Sequence, residues 1–191
     1  MKESFSISQT LSAAQTGTTL RIHFPETTVT EAATNVTIAA SAPTPTLSMS
    51  VSALKSTTSG SINKYLAFSI DLDAPFPAFP FLGPGLHGVH ADLVAGAADA
   101  NGFVALEGGS AEWQVAPYMG PGPPPLSAPH RYVFMVFEQP EGMDTAKVKS
   151  VLGLDRPATS VLSRIRWDQA AAEKSLGLGE VVAGNYFVSR R

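Results

Sequence analysis

Two aspartates two residues apart, Asp71 and Asp73, two histidines three apart, His87 and His90, and the pair His130 and Tyr132 are the side chains best suited to chemistry. Only 15% of the 191 residues are charged, so this concentration stands above the background of surface charge. Such a set can act in three ways. An imidazole can donate to an anion or take up a proton, with a carboxylate behind it fixing the tautomer or stabilising the charge. Imidazoles and carboxylates together can ligate a divalent cation. A tyrosine hydroxyl, with backbone N–H groups, can hold an oxyanion that forms during proton abstraction.

The spacing sets expectations for how these groups meet. Side chains alternate along a strand, so Asp71 and Asp73 are expected on one face at a strand end, where their repulsion needs a compensating donor. A regular strand from His87 puts His87, Val89 and Ala91 on one face and Gly88, His90 and Asp92 on the other. Only one of those histidines is then expected in a shared pocket. Gly120-Pro121-Gly122-Pro123-Pro124-Pro125 reads as a stiff loop that can bring backbone N–H groups to an anion, although each proline removes a donor. Tyr132 shares the face of His130, and Arg131, on the opposite face, is expected in a structural ion pair. His23 has no partner in reach by sequence and is read as structural. There is no G-x-S-x-G, and Ser110 has no sequence support as a nucleophile.

These groups need a scaffold, and the chain reads as strand-rich. The first sixty residues favour strands by composition, with alternation in Thr19–Phe24 and Asn35–Ile38. Ser56–Ser61 reads as an exposed turn. Strands are expected at Tyr65–Leu72, His87–Val94, His130–Glu138 and Val181–Val188. The third is apolar on both alternating sets and so belongs in the middle of a sheet. Helices are expected late: one capped by Asp144 or Thr145 and stopped by Gly153, one opened by Pro157, and Gln169–Leu176 between Asp168 and Gly177. The sum is a mostly β, largely antiparallel single domain, residues 1–191, with a few peripheral helices.

Composition narrows the function classes. A net charge of −3 without a basic patch gives no footprint for nucleic acid. The absence of cysteine excludes disulfides and thiolate chemistry. No stretch is long and apolar enough to suggest a transmembrane segment, and none reads as a signal peptide, so a cytoplasmic protein is expected.

The order D-x-D-A-P, then L-H, then Y-x-G-x-G-P-P and H-R-Y-V-F, with "LGLGEVVAGNYF" near the end, closely resembles the phosphatidylethanolamine-binding protein family over about residues 60 to 188. The resemblance implies a large antiparallel sheet packed on a smaller one. It makes Asp71, Asp73, His87, Gly120, Gly122, Pro123, His130 and Tyr132 the walls of one pocket for a small anion such as the phosphate of phosphoethanolamine. Phe187 stands where relatives carry a pocket tyrosine. No cofactor and no metal is implied, and a protein partner is compatible with the family.

Three departures bear on the ligand. Gly88 replaces an aromatic residue, Leu72 replaces the proline of D-P-D, and the loop after Asp73 is uncharged and carries Phe76, Phe79 and Phe81. An apolar rim around an anion site suits an amphiphile; the alternative is that these rings tuck inward. Three readings remain open. The first is a non-catalytic binder of a small anionic or amphiphilic ligand. The second is an enzyme like the family's fungal polyketide-pathway relatives, with His87 or His130 as base, Asp71 or Asp73 orienting it and Tyr132 holding the oxyanion. The third is a metal site of His87, His130 and Asp71.

Overall fold

The computed structural model describes residues 4–54, 63–109, 113–155 and 161–191, so Ser56–Ser61, Ser110 and Pro157 lie outside the described residues. In chain order the elements are α1 (Phe5–Thr16), β1 (Leu20–Phe24), β2 (Thr27–Val29), β3 (Thr34–Asn35), α2 (Ile38–Ser41), β4 (Thr46–Ser50) and β5 (Lys64–Asp71). Then come β6 (Gly85–Ala98), β7 (Phe103–Gly108), β8 (Gln114–Ala116), β9 (His130–Glu138), α3 (Thr145–Val151), α4 (Val161–Arg164), α5 (Gln169–Leu176) and β10 (Val181–Ser189).

The strands run β2-β1-β4-β7-β6-β5-β9-β10-β3, with β8 also paired to β6. All pairings are antiparallel except the edge pair of β10 and β3. β9 lies between β5 and β10, as its two apolar faces require. Val133, Met135 and Phe137 pack on one side, and Tyr132, Phe134 and Val136 on the other.

Hydrogen bonding is continuous along this order, yet the sheet folds back on itself. Asn185 on β10 donates through Nδ2 to the Leu20 carbonyl of β1 at 2.9 Å, and the Gly184 N–H reaches the Thr19 hydroxyl at 3.1 Å. The smaller leaf, β2-β1-β4-β7, is thereby laid on the larger one. Between the leaves lie Leu20, Ile22, Met49, Tyr65, Tyr132 and Phe187, each 1% exposed or less. The opposite face of the larger leaf, with Leu66, Phe68 and Ile70, packs with Ile7 of α1, Val148 of α3 and Leu176 of α5.

One expectation is corrected at the start of the chain. Residues 5–16 form a helix, not a strand. Ser4 caps it by accepting the Ile7 N–H at 3.4 Å, and Ile7, Leu11 and Ala14 recur at helical spacing on the face that meets the sheet. Ser and Thr between them gave the segment a strand-like composition that masked this period. Similarly, Asn35–Ile38 is not one strand: β3 stops at Asn35, and Thr37 caps α2. α3 and α5 keep the Asp144 and Asp168 caps, and Gly177 closes α5 at φ 67°. Among the described residues, no helix is long and apolar enough to cross a membrane.

Candidate functional site

β5 ends at Asp71, directly opposite Tyr132 on β9. The two carboxylate oxygens of Asp71 serve different partners. Oδ1 accepts the Asp73 N–H at 2.8 Å, a side-chain turn that carries the chain out of the sheet. Oδ2 stands 2.8 Å from His130 Nδ1, and His130 Nε2 stands 2.9 Å from Ser127 Oγ. The imidazole is 1% exposed and engaged at both nitrogens. Burial works against a charge on His130, but the Asp71 carboxylate, helped by Asp73, outweighs it and holds the pKa above the ordinary imidazole value.

Asp73 does not share that arrangement. Its carboxylate forms a two-pronged ion pair with Arg131, Nε to Oδ2 at 2.9 Å and Nη2 to Oδ1 at 2.7 Å, and also accepts the Arg131 N–H at 2.8 Å. The shared face expected for the two aspartates is lost because the strand stops at Asp71 and the turn redirects Asp73. Bidentate geometry makes this a positioning contact that ties the β5 turn to the start of β9.

His87 is placed by a bulge. Ser69 pairs with Gly88 and Ile70 with Leu86, so His87 is the extra residue of β6. Its ring therefore leaves the face of Val89 and meets Tyr132 edge-on, centroids 5.1 Å apart. The Nδ1–H donates to the Met119 carbonyl at 2.6 Å, and the Met119 N–H returns to the His87 carbonyl at 2.8 Å. That tautomer leaves the Nε2 lone pair available. Burial lowers the His87 pKa, so the half-buried ring is neutral near neutral pH. His90 opposes Ala67, a residue of the core between the leaves, so the bulge brings both histidines to the same side of the sheet. They still do not share a pocket, since His90 packs on Trp113 instead.

Tyr132 is 1% exposed, and its hydroxyl lies beside the Asp71 carboxylate and the Gly122 backbone without an ordinary hydrogen bond to either. Burial, and then the charge of Asp71, raise its pKa. An unpaired buried hydroxyl is costly and marks a place where a polar group is wanted. Phe187 stacks on this ring at 5.1 Å and is wholly buried. Of the proline-rich loop, Gly122 is exposed beside the phenol, while Gly120 presses on α2: a Cβ there would lie 2.7 Å from Ala42 Cα. Pro123 is buried.

Two features were not apparent from sequence. Arg164, at the end of α4, is 4% exposed and donates through Nη1 to the carbonyls of His87 at 3.1 Å and Pro117 at 2.9 Å. No carboxylate pairs with it among the described residues, so a fixed positive charge stands behind His87. Ser127 is the other, and only its closeness to His130 in sequence hinted at it. The phenylalanine loop is outward-facing: Phe76, Phe79 and Phe81 are 43%, 69% and 44% exposed, and Leu126 across the proline-rich loop is fully exposed. The inward-tucking alternative is thus set aside.

The metal reading is not supported by this geometry. His130 has committed both nitrogens, and no group of three or more histidine or acidic residues among the described residues is placed to hold an ion. The roomier surface cavities, of about 740 and 690 Å³, lie away from His87 and His130. Of the site side chains, His87 is half-buried, whereas Asp71, Asp73, His130 and Tyr132 are buried.

Gly88 lets the 118–119 segment lie against His87. A Cβ at this position would sit 3.0 Å from Ser69 Oγ and 3.3 Å from Tyr118 Cα, so a side chain must push the 118–119 segment off His87. Gly88→Val is expected to lower stability by about 1–3 kcal/mol. The same change should raise the His87 pKa toward 6.5, as the ring opens to water. Urea denaturation and imidazole NMR titration measure the two effects.

The fold and the site define a class, and comparison with known proteins agrees. The family model described as phosphatidylethanolamine-binding protein matches residues 10–187. The chain belongs to the phosphatidylethanolamine-binding protein family. It is 41% identical over 75 residues to the carboxypeptidase Y inhibitor of Saccharomyces cerevisiae, covering 37% of this chain and 30% of that one. It is 33% identical over 127 residues to phomoidride biosynthesis cluster protein N of Talaromyces stipitatus, covering 66% of this chain and 59% of that one. The chain therefore matches under two thirds of the length of either relative. Among solved structures, the carboxypeptidase Y inhibitor in complex with its cognate proteinase superposes with a TM-score of 0.67 at 21% identity, over 90% of this chain and 82% of that one.

Proposed function

We propose that this protein binds a small amphiphile through an anionic head, held at His87 and Tyr132, with its apolar part along Phe76, Phe79 and Phe81. The observation that carries this reading is the half-buried His87 ring, tied back at Nδ1 to Met119 and backed by the Arg164 guanidinium, which donates to the His87 and Pro117 carbonyls and has no carboxylate partner among the described residues. The unpartnered Tyr132 hydroxyl supplies a donor for the same head group. The buried Asp71–His130–Ser127 chain lies behind these groups and holds β5 and β9 in place. Because the free His87 is neutral, a fully ionised head binds together with a proton, and affinity rises as pH falls. Phosphate or phosphoethanolamine should shift the His87 ring resonances saturably, more strongly near pH 6 than near pH 8. His87→Ala should weaken that binding about tenfold or more. An unshifted His87 at saturating phosphate would refute the reading.

One observation favours a second reading. A neutral imidazole, oriented by a backbone carbonyl and carrying a free Nε2 lone pair, is the form required of a general base. The similarity to a biosynthesis-cluster protein gives it chemical context. In this reading His87, not the fully engaged His130, removes a proton from a carbon acid of the maleic anhydride type, and the Tyr132 hydroxyl donates to the enolate oxygen. Incubation with an alkyl maleic anhydride in deuterated water tests it. Side-chain deuterium incorporation that vanishes in His87→Ala supports the base, and incorporation equal in both chains removes it.

A further inference from the structure

His90 is left out of the site above, and its surroundings are unusual for a histidine. The residue is 6% exposed, and Nε2 is closed off from solvent without a hydrogen-bond partner. Burial lowers its pKa to about 4, so the ring is neutral under ordinary conditions. An unpaired buried nitrogen is costly, and a bound partner would recover that cost. The Trp113 indole stands against the imidazole, centroids 4.5 Å apart and nearly edge-to-face. Gly108 makes room for that indole: a Cβ there would lie 2.6 Å from the ring.

His90 and Trp113 border a cavity of about 450 Å³ above β4, β7 and β6, with Leu47, Leu93 and Leu106 as apolar walls and Glu107 at its edge. This volume falls within the range of small-molecule sites. The lining selects its occupant by simple chemistry. Leucines and an indole favour a flat apolar body. Among the described residues lining the cavity none is a lysine or arginine, so an anion finds no counter-charge there. A hydroxyl can donate to the His90 lone pair or accept from its N–H, so it suits either tautomer.

We propose that this cavity is a second ligand site, separate from the His87 site, for a small neutral phenol whose ring lies against Trp113 and whose hydroxyl pairs with His90 Nε2. Nε2 is closed off from solvent and the indole stands against the imidazole, so the phenol binds by tilting the indole aside. Entry is therefore coupled to a change at Trp113.

The probe is 4-methylphenol, with 1,4-dimethylbenzene as the partner that lacks a hydroxyl. Titration into the full chain should shift the Trp113 indole N–H and the His90 ring resonances saturably, with the dimethylbenzene at least about tenfold weaker. His90→Phe keeps the ring and removes the nitrogen; it should weaken the phenol by a similar factor and leave the dimethylbenzene unchanged. Absence of saturable shifts in the wild type, or phenol binding unaltered in His90→Phe, would overturn the proposal. Phosphate shifts at His87 in the same samples report the other site independently.

Discussion

Replacing Asp71 with alanine is expected to lower folding stability by about 3–5 kcal/mol, the scale seen when one member of a buried pair is removed. The substitution strands two groups at once: His130 Nδ1 and the Asp73 N–H. The effect has a pH signature with a definite sign. The folded pKa of His130 is raised, so its contribution is fully present below the unfolded value of about 6.5 and is lost as pH rises through the folded value. Wild-type stability should therefore decline on this alkaline side, and Asp71→Ala should lack that decline. Urea denaturation at a series of pH values checks both parts. A loss under about 1 kcal/mol would show that the His130 chain is not what holds the ends of β5 and β9 together.

Asp92 is expected to give the second large effect, at the other end of the same sheet. It sits in β6 at φ 54° and is 3% exposed. Its carboxylate accepts from Lys64 Nζ at 2.6 Å, Gln139 Nε2 at 3.0 Å, and the Thr145 N–H and hydroxyl at 2.8 and 2.6 Å. One side chain thus joins β5, β6, the end of β9 and the start of α3. Asp92→Ala leaves those donors unpaired and should lower stability by about 3 kcal/mol or more. Burial opposes ionisation here, but the donors prevail and bring the pKa down from 3.8 to about 2. A depressed carboxylate stabilises the fold above its unfolded pKa, and the benefit is lost as pH falls toward the folded one. The wild type should therefore lose about 2 kcal/mol relative to Asp92→Asn between roughly pH 4 and pH 2. Parallel acid-limb denaturation curves for the two chains would contradict this assignment.

These two aspartates show how unevenly the molecule can be read from its residues. Asp71 stood out through its spacing to Asp73 and the histidines, although the two do not share the face that this spacing suggests: Asp73 clamps Arg131. Asp92 gave no signal, because a buried acceptor at a bulge looks like any aspartate in a strand. Arg164 was equally silent, since nothing in a short late helix says that its guanidinium will reach back to the His87 carbonyl. The helix of residues 5–16 was misread because serine and threonine at its polar positions resemble strand composition.

What the amino-acid order determined alone is the central strand β9, the capped helices α3 and α5, the family and the roster of chemical groups. Each depends on short-range period, on a cap, or on a motif in fixed order. Only the tertiary structure decided which side chains share a site. Alternation has a period of two, so one inserted residue turns a side chain to the other face. The bulge at His87 does that, bringing the ring to Tyr132, while the turn after Asp71 sends Asp73 to Arg131. Such displacements arise from pairing between strands far apart in the chain, and local spacing carries no record of them.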